Sequence, residues 1–144
     1  MDFSYAGLPN PIPQSALPSV PSPSRAPGAI LIVEDEALVR AAALGVFANA
    51  GYRVIEAVSG EEAVEVLEGD CDVQLLFTDV NLMGLLEGLP LARQVHDRWP
   101  HIRIIVVSGQ AMPQPCELPA GSRFYRKPYD AETMVRHVRE MTAA

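Results

Sequence analysis

The sequence predicts an α/β fold: a doubly wound five-stranded parallel sheet with helices on both faces. Short apolar runs alternate five times with stretches whose apolar residues recur at helical spacing. Each apolar run also ends in a polar or charged residue, and functional groups of parallel sheets stand at the carboxyl ends of strands. The chain has 144 residues, of which 49% are hydrophobic, which is enough for one domain with a single core.

Composition narrows the classes of function. The formal net charge is −7 and Lys and Arg form no cluster, which disfavours direct binding of nucleic acid. No apolar run approaches the roughly 20 residues of a membrane span, and no basic stretch precedes an apolar leader. The cysteines, Cys71 and Cys116, are too few for a disulfide framework and are interpreted as free thiols. We therefore expect a cytoplasmic protein with no membrane contact.

The first 27 residues differ in composition from the rest. They contain 7 of the 13 prolines, with serines between them. Proline lacks a backbone donor and fixes φ, so this stretch is predicted to be a disordered or polyproline-like tail. A docking site for a proline-recognising partner and an interdomain linker remain alternatives. The folded domain is predicted to span residues 28–144.

The first half of that domain contains two predicted strands and two predicted helices. Ala29–Val33 is apolar without alternation, which is typical of a strand buried on both faces. A helix is predicted over 37–50, with Gly51 as its stop, from the apolar positions Val39, Ala43, Val46, Phe47 and Ala50. Residues 52–57 predict a second strand. Ser59, followed three residues later by Glu62, is a capping box that opens a helix to about residue 68.

The second half repeats the alternation with one interruption. Strands are predicted at 73–77, 102–107 and 124–126, and a helix at 88–99. Asp130 is the predicted N-cap of a last helix, whose apolar face consists of Met134, Val138 and Met141. Between Ser108 and Lys127 the prolines at 113, 115 and 119 exclude a regular helix. The helix expected there is predicted to be absent or reduced to a turn.

Polar groups follow four of the five strands. Glu34 and Asp35 follow the first strand, Asp79 the third, Ser108 the fourth and Lys127 the fifth. Three carboxylates held close together repel each other unless a cation joins them, and Mg²⁺ is the natural hard cation for oxygen ligands. A lysine and a hydroxyl beside them suit phosphoryl transfer, and a carboxylate is an established phosphoryl acceptor.

Four segments in order carry a resemblance to a known family. They are ILIVEDE (30–36), LLFTDVN (75–81), IIVVSG (104–109) and RKPY (126–129). Each segment is weak evidence alone, but together, each at a strand end, they resemble the receiver domain of response regulators in two-component signalling. The resemblance covers most of residues 28–141 and implies the flavodoxin-like receiver fold.

The resemblance also implies a phosphorylation site and a metal site. Asp79 would accept a phosphoryl group from a histidine kinase or a histidine phosphotransfer protein. A Mg²⁺ or Mn²⁺ ion would be bound directly by Asp35, largely through water by Glu34, and also by Asp79 and the backbone carbonyl of Asn81. The chain would then be a conformational switch, not an enzyme beyond the self-catalysed transfer to Asp79 and hydrolysis from it.

Further roles follow from the same resemblance. Lys127 would pair with the phosphoryl group, and the Lys127–Pro128 bond is typically cis in this family. Ser108 would move toward a phosphoryl oxygen, and Phe124 occupies the aromatic switch position that responds. Asn81 and Gln110 lie where side chains tune the attack of water, and so the lifetime of the phosphorylated state.

Two departures from the family pattern affect expected partners. Met83 stands where the family usually has proline, and the loop to Gly88 is about one residue longer. The proline-broken stretch replaces a face through which the family commonly dimerises, so we expect a monomer or weak dimer. Since the chain ends just after the last predicted helix, we expect no output domain. A stand-alone receiver, favoured by Met1, and a receiver from a hybrid histidine kinase both remain open.

Two other functions are weighed against this one. A pseudo-receiver would serve as a protein-binding module without phosphorylation, and it would usually lack an acid or the lysine. A phosphohydrolase of the haloacid-dehalogenase type also uses a strand-end aspartate and Mg²⁺. It would usually need a second acid two residues after the nucleophile, where this chain has Asn81.

Overall fold

The computed structural model describes residues 28–69, 72–82, 84, 86–110 and 113–143. The predicted tail over 1–27, Cys71 and the Met83 departure lie outside the described residues. Five strands form one parallel sheet in the order β2-β1-β3-β4-β5. They are β1 Ala29–Val33, β2 Val54–Ala57, β3 Val73–Asp79, β4 Arg103–Ser108 and β5 Arg123–Arg126. This is the strand order of flavodoxin-like folds, so the predicted fold class is confirmed.

Helices cover both faces of the sheet. They are α1 Ala37–Asn49, α2 Gly60–Gly69, α3 Gly88–Arg98 and α4 Ala131–Thr142. Successive strand residues point to opposite faces, so Ile32 and Phe77 pack toward α1 and α4, whereas Val33 and Leu76 pack toward α2 and α3. The predicted face of α4 is confirmed, because Met134, Val138 and Met141 are buried. Within the described residues, no helix is both long and apolar enough to cross a bilayer.

The helix ends follow the predicted signals. The Ser59 hydroxyl accepts the amide of Glu62 at 3.1 Å, while the Glu62 carboxylate accepts the amide of Val58 at 2.7 Å. Asp130 caps α4 by accepting the amide of Thr133 at 2.8 Å. Ser59 and Asp130 therefore cap their helices as predicted, but Glu62 of the predicted capping box binds the amide of Val58 instead of that of Ser59.

The end of α1 corrects one strand boundary. Gly51 has a φ of +94°, which glycine adopts at little cost, and it allows the Tyr52 amide to bond back to the Phe47 carbonyl at 3.0 Å. Because that amide completes the helix end, β2 begins at Val54 instead of residue 52. On α1 itself, Ala43 and Phe47 are buried, while Val39, Val46 and Ala50 are half-buried.

The stretch between β4 and β5 contains the short turn that its prolines predict. Among the described residues 113–122, the one helical element is a single 3₁₀ turn, Pro115–Glu117. Arg93 of α3 holds it by donating hydrogen bonds to the carbonyls of Cys116 at 3.1 Å and Glu117 at 3.0 Å. Leu118 packs against the core on the α2 and α3 side. A short, hydrogen-bonded segment thus replaces the usual helix.

Candidate functional site

Sheet register brings the predicted site residues to one edge. Val33 of β1 pairs with Thr78 of β3, so Glu34 and Asp79, the next residue of each chain segment, follow side by side. Asp79 in turn pairs with Val107 of β4, directly before Ser108. The Lys127 amide donates to the Ser108 carbonyl at 2.8 Å, which places Lys127 at the same edge. The parallel ladder therefore gathers residues that lie up to 93 positions apart in sequence.

Lys127 joins two carboxylates. Its Nζ donates to Asp79 Oδ2 at 2.6 Å and to Glu34 Oε1 at 3.2 Å. The side chains of Glu34 and Asp79 are 6% and 10% exposed, and that of Lys127 is 23% exposed, so water screens these charges weakly. We call these three residues the acid pocket.

Each carboxylate of the acid pocket is also held by the main chain. Asp79 Oδ1 accepts the amide of Asn81 at 3.0 Å, and Glu34 Oε2 accepts the amide of Glu36 at 3.1 Å. One oxygen of each acid is thus bound to a backbone amide and the other to the Lys127 ammonium. Such contacts orient both carboxylates before any ligand arrives.

The acid pocket carries more negative than positive charge, and the pKa values reflect this. Burial and the neighbouring Asp79 raise the pKa of Glu34, the Glu36 amide and Lys127 lower it, and the net result is a pKa of about 7. Burial by itself would lower the pKa of Lys127, but its hydrogen bond to Asp79 and the charges of both acids raise it above its ordinary value. Two carboxylates with one ammonium leave a net negative charge, which an additional cation would neutralise.

The predicted metal ligands are brought together in part. Glu34 and Asp79 meet in the acid pocket, and Asp35 is the half-buried residue next to Glu34. No three His, Cys, Asp or Glu side chains among the described residues are placed to hold a metal ion. The structure therefore places two of the three predicted carboxylates together, with Lys127 between them, and Asp35 follows Glu34 directly in the chain. The donor chemistry, buried carboxylate oxygens in excess of positive charge, fits a hard cation such as Mg²⁺ or Mn²⁺.

The remaining predicted residues surround the acid pocket. Ser108 is fully buried at the end of β4, and its hydroxyl accepts the amide of Gln110 at 3.3 Å. The side chains of Asn81 and Gln110 are exposed. Phe124 is half-buried on β5, where it pairs with Val106 and packs on the α2 and α3 side of the sheet. The Lys127–Pro128 bond is cis, as the resemblance implied.

Two contributors to the site were missed at the level of sequence. A side-chain carbon at Gly88 would lie 1.8 Å from the Asp79 carbonyl oxygen, so the start of α3 approaches the acceptor strand as only glycine can. Arg40 of α1 donates to the Glu34 carbonyl at 2.9 Å. A glycine at a predicted helix start hinted at the first contributor, and nothing in the spacing of residues indicated the second.

The flavodoxin-like strand order and the two acids bridged by a lysine agree with the receiver fold that the sequence motifs indicate. Comparison with known sequences identifies the family: the profile described as the response regulator receiver domain matches residues 30–139. The chain belongs to this receiver family.

Individual relatives agree with the family assignment. The sensor kinase CckA of Brucella abortus (strain 2308) is 35% identical over 116 residues, covering 78% of this chain and 12% of CckA. The aerobic respiration control protein ArcA of Escherichia coli (strain K12) is 36% identical over 81 residues, 56% of this chain and 33% of ArcA. The chain thus spans a third or less of these two relatives. The crystal structure of the receiver domain from the hybrid histidine kinase CckA is 31% identical with a TM-score of 0.67, covering 80% of this chain and 99% of that domain.

Proposed function

We propose that the chain is a phosphorylatable receiver, a switch that takes a phosphoryl group on Asp79 from a phosphohistidine of a histidine kinase or phosphotransfer protein. The observation that carries the proposal is the contact of Lys127 with Asp79 at 2.6 Å and with Glu34 at 3.2 Å at the carboxyl edge of the sheet. Membership of the receiver family supports it. The proposed receiver domain spans 28–144, and the proline-rich stretch over 1–27 precedes it.

The transfer would need little movement of protein groups. An oxygen of Asp79 attacks phosphorus as the bond from phosphorus to the donor imidazole nitrogen breaks, and that nitrogen keeps the electron pair. Lys127 is already within hydrogen-bond distance of the attacked carboxylate, so its ammonium can pair with the incoming phosphoryl oxygens. The Asn81 amide holds the other carboxylate oxygen and so limits rotation of the acceptor.

A divalent cation is part of the proposal. Glu34, Asp35, Asp79 and the Asn81 carbonyl would hold Mg²⁺ or Mn²⁺, which would supply neutralisation of charge on the transferred group. The surplus negative charge of the acid pocket and the raised pKa of Glu34 support this assignment. Hydrolysis would reverse the state when water attacks the phosphorus of the acyl phosphate and releases phosphate and the Asp79 carboxylate.

The readout would pass through β4 and β5. Ser108 follows Val107, the ladder partner of Asp79, and its carbonyl binds the Lys127 amide, so a shift of Ser108 toward a phosphoryl oxygen also changes the end of β5. Phe124 pairs with Val106, two residues before Ser108, and would be the aromatic switch residue that responds to such a shift. Phosphorylation would change the populations of two conformations that differ in affinity for partners. Asn81 and Gln110 would tune the rate of hydrolysis.

The test is intact-mass spectrometry after incubation with acetyl phosphate and Mg²⁺. We expect one phosphate adduct on the parent, its loss on treatment with hydroxylamine, which cleaves acyl phosphates, and no adduct on Asp79→Asn. Asp97→Asn, which changes an exposed acid on α3, is the matched control and should be phosphorylated like the parent. An equal adduct on Asp79→Asn would exclude Asp79 as the acceptor. A parent that binds Mg²⁺ but takes no phosphate from acetyl phosphate or from a phosphohistidine donor would instead be a pseudo-receiver.

A further inference from the structure

Arg40 links three parts of the chain near the acid pocket. It lies in the second turn of α1, and its side chain is 18% exposed. Its Nε donates to Glu56 Oε1 of β2 at 3.0 Å, and its Nη1 donates to the main-chain carbonyl of Glu34 at 2.9 Å. The guanidinium therefore ties the start of the acidic pair to both α1 and β2.

A contact to the Glu34 carbonyl restrains the peptide that joins the two acids. It belongs to the planar peptide unit between Glu34 and Asp35, so its direction sets ψ of the first acid and φ of the second. The Glu34 amide is also bound, donating to the Ala57 carbonyl of β2 at 3.1 Å. With both main-chain groups of Glu34 held, the peptide that leads to Asp35 is restrained, which restricts the direction in which the Asp35 side chain leaves the main chain.

The contacts of Arg40 suit a role in orienting the main chain better than a role in neutralising the charge of the acid pocket. Its guanidinium is paired with the Glu56 carboxylate, which neutralises it, and neither Arg40 contact is to a carboxylate oxygen of the acid pocket. A planar guanidinium donates from several N–H groups in fixed directions, whereas a lysine ammonium is a compact charge whose donors rotate freely. Outer contacts of this kind orient metal ligands, and their loss typically costs about 10–100-fold in metal affinity.

We propose that Arg40 is a positioning residue that fixes the peptide between Glu34 and Asp35 in the orientation that binding of the divalent cation requires, and that Glu56 fixes Arg40. This inference rests on the proposed function, because it assigns the acidic pair to a cation. It adds a residue of α1 and a residue of β2 to the groups on which the site depends.

The experiment is a titration of the full chain with Mg²⁺ by isothermal calorimetry. We expect Arg40→Met to bind Mg²⁺ about tenfold more weakly, and Arg40→Lys, which keeps the charge but lacks the planar fork, about threefold more weakly. Glu56→Gln should weaken binding about two- to threefold, and should add little in the Arg40→Met background because both act through one contact. Arg98→Met breaks the 2.9 Å ion pair with Glu68 away from the acid pocket and should leave Mg²⁺ affinity unchanged.

A second readout needs no metal. Hydrogen exchange of the Asp35 and Glu36 amides without Mg²⁺ should be faster in Arg40→Met and partly restored in Arg40→Lys. Thermal unfolding of each variant separates this local effect from loss of the fold, and Glu56→Gln, which keeps the shape of Glu56, tests the same contact with less risk to folding.

The outcomes separate this inference from the proposed function. Parent-like Mg²⁺ affinity in folded Arg40→Met, or an Arg40→Lys no better than Arg40→Met, would overturn the positioning role while phosphorylation of Asp79 stands. A parent that binds Mg²⁺ with the expected Arg40 dependence but takes no phosphate supports the positioning role and overturns the proposed function. A parent that does not bind Mg²⁺ overturns the positioning role.

Discussion

The apolar layer under α1 and α4 lies next to the acid pocket at the strand ends, but the first is held by apolar packing and the second consists of buried charged groups. Phe77 and Asp79 are two residues apart on β3. Phe77 packs edge-on against Phe47 with ring centroids 5.0 Å apart, in a layer where apolar groups meet apolar groups. Asp79 shares one ammonium with a second buried acid. The comparison shows that the apolar layer stabilises the fold, whereas the acid pocket lowers its stability by keeping buried charges in place for a ligand.

The largest expected effect lies in the apolar layer. Phe47→Ala should lower the free energy of unfolding by about 3–5 kcal/mol, because a fully buried ring is replaced by a cavity. Urea denaturation measures it. Leu38→Ala, at a side chain that is 86% exposed on the same helix, is the control and should change stability by less than about 0.5 kcal/mol. Similar losses at the two positions would contradict the packing described for α1.

Removing the ammonium should destabilise the acid pocket by a smaller amount. Lys127→Met leaves two buried carboxylates without their cation, and we expect a loss of about 1–3 kcal/mol at pH 8 without Mg²⁺. The loss should shrink toward pH 5, where Glu34 takes up a proton. Since the pKa of Lys127 is raised, its own contribution in the parent is present at neutral pH and is lost only above about pH 10.5. Urea denaturation at both pH values provides the check, and a loss independent of pH would contradict the charge argument.

Removing the Glu34 carboxylate should instead stabilise the fold at high pH. The folded-state pKa of Glu34 is about 7 against an ordinary 4.5, so ionised Glu34 costs stability that grows as pH rises from about 4.5 and is complete above about 7. Glu34→Gln should therefore be more stable than the parent by about 1 kcal/mol at pH 8 without Mg²⁺, and no more stable at pH 4.5. Thermal unfolding at the two pH values measures the difference. Destabilisation at pH 8 would mean that the hydrogen bonds of Glu34 outweigh its charge.

The smallest effect concerns a region that is neither apolar core nor acid pocket. Arg93→Met removes two exposed hydrogen bonds to the 3₁₀ turn, and we expect a global loss of only about 0.5 kcal/mol. Amide exchange of Glu117 and Leu118 should nevertheless become markedly faster, since both amides bond within the turn. Arg103→Met, at an exposed position that starts β4, is the control and should leave that exchange unchanged. Unchanged exchange in Arg93→Met would show that Leu118 alone holds the segment.

Most of the fold was accessible from local pattern. The continuous apolar runs predict buried parallel strands, and all five appear within two residues of their predicted bounds. Ser59 and Asp130 predict helix starts because a cap is a contact between residues three apart. The prolines at 113, 115 and 119 predict that no regular helix forms over the described residues 113–122, because proline acts on its own backbone.

The site was predictable in its members but not in its contacts. Strand-end position predicts Glu34, Asp79, Ser108 and Lys127 at one edge of a parallel sheet, because all its strands run in the same direction. That Lys127 bridges Glu34 and Asp79, and that burial raises the pKa of Glu34, depends on distances between segments far apart in sequence. Arg40 was missed for the same reason, because its partners are a carbonyl six residues back and a carboxylate on the next strand.

The sequence by itself determined the succession of strands and helices along the chain, the residues that cap or interrupt them, and the type of side chain at each strand end. These features depend on residues close together in the chain. Only the tertiary structure decided which acids share the ammonium, which carbonyl Arg40 holds and where Phe124 packs. Those contacts follow from register and burial, and both arise only when distant segments pair and exclude water.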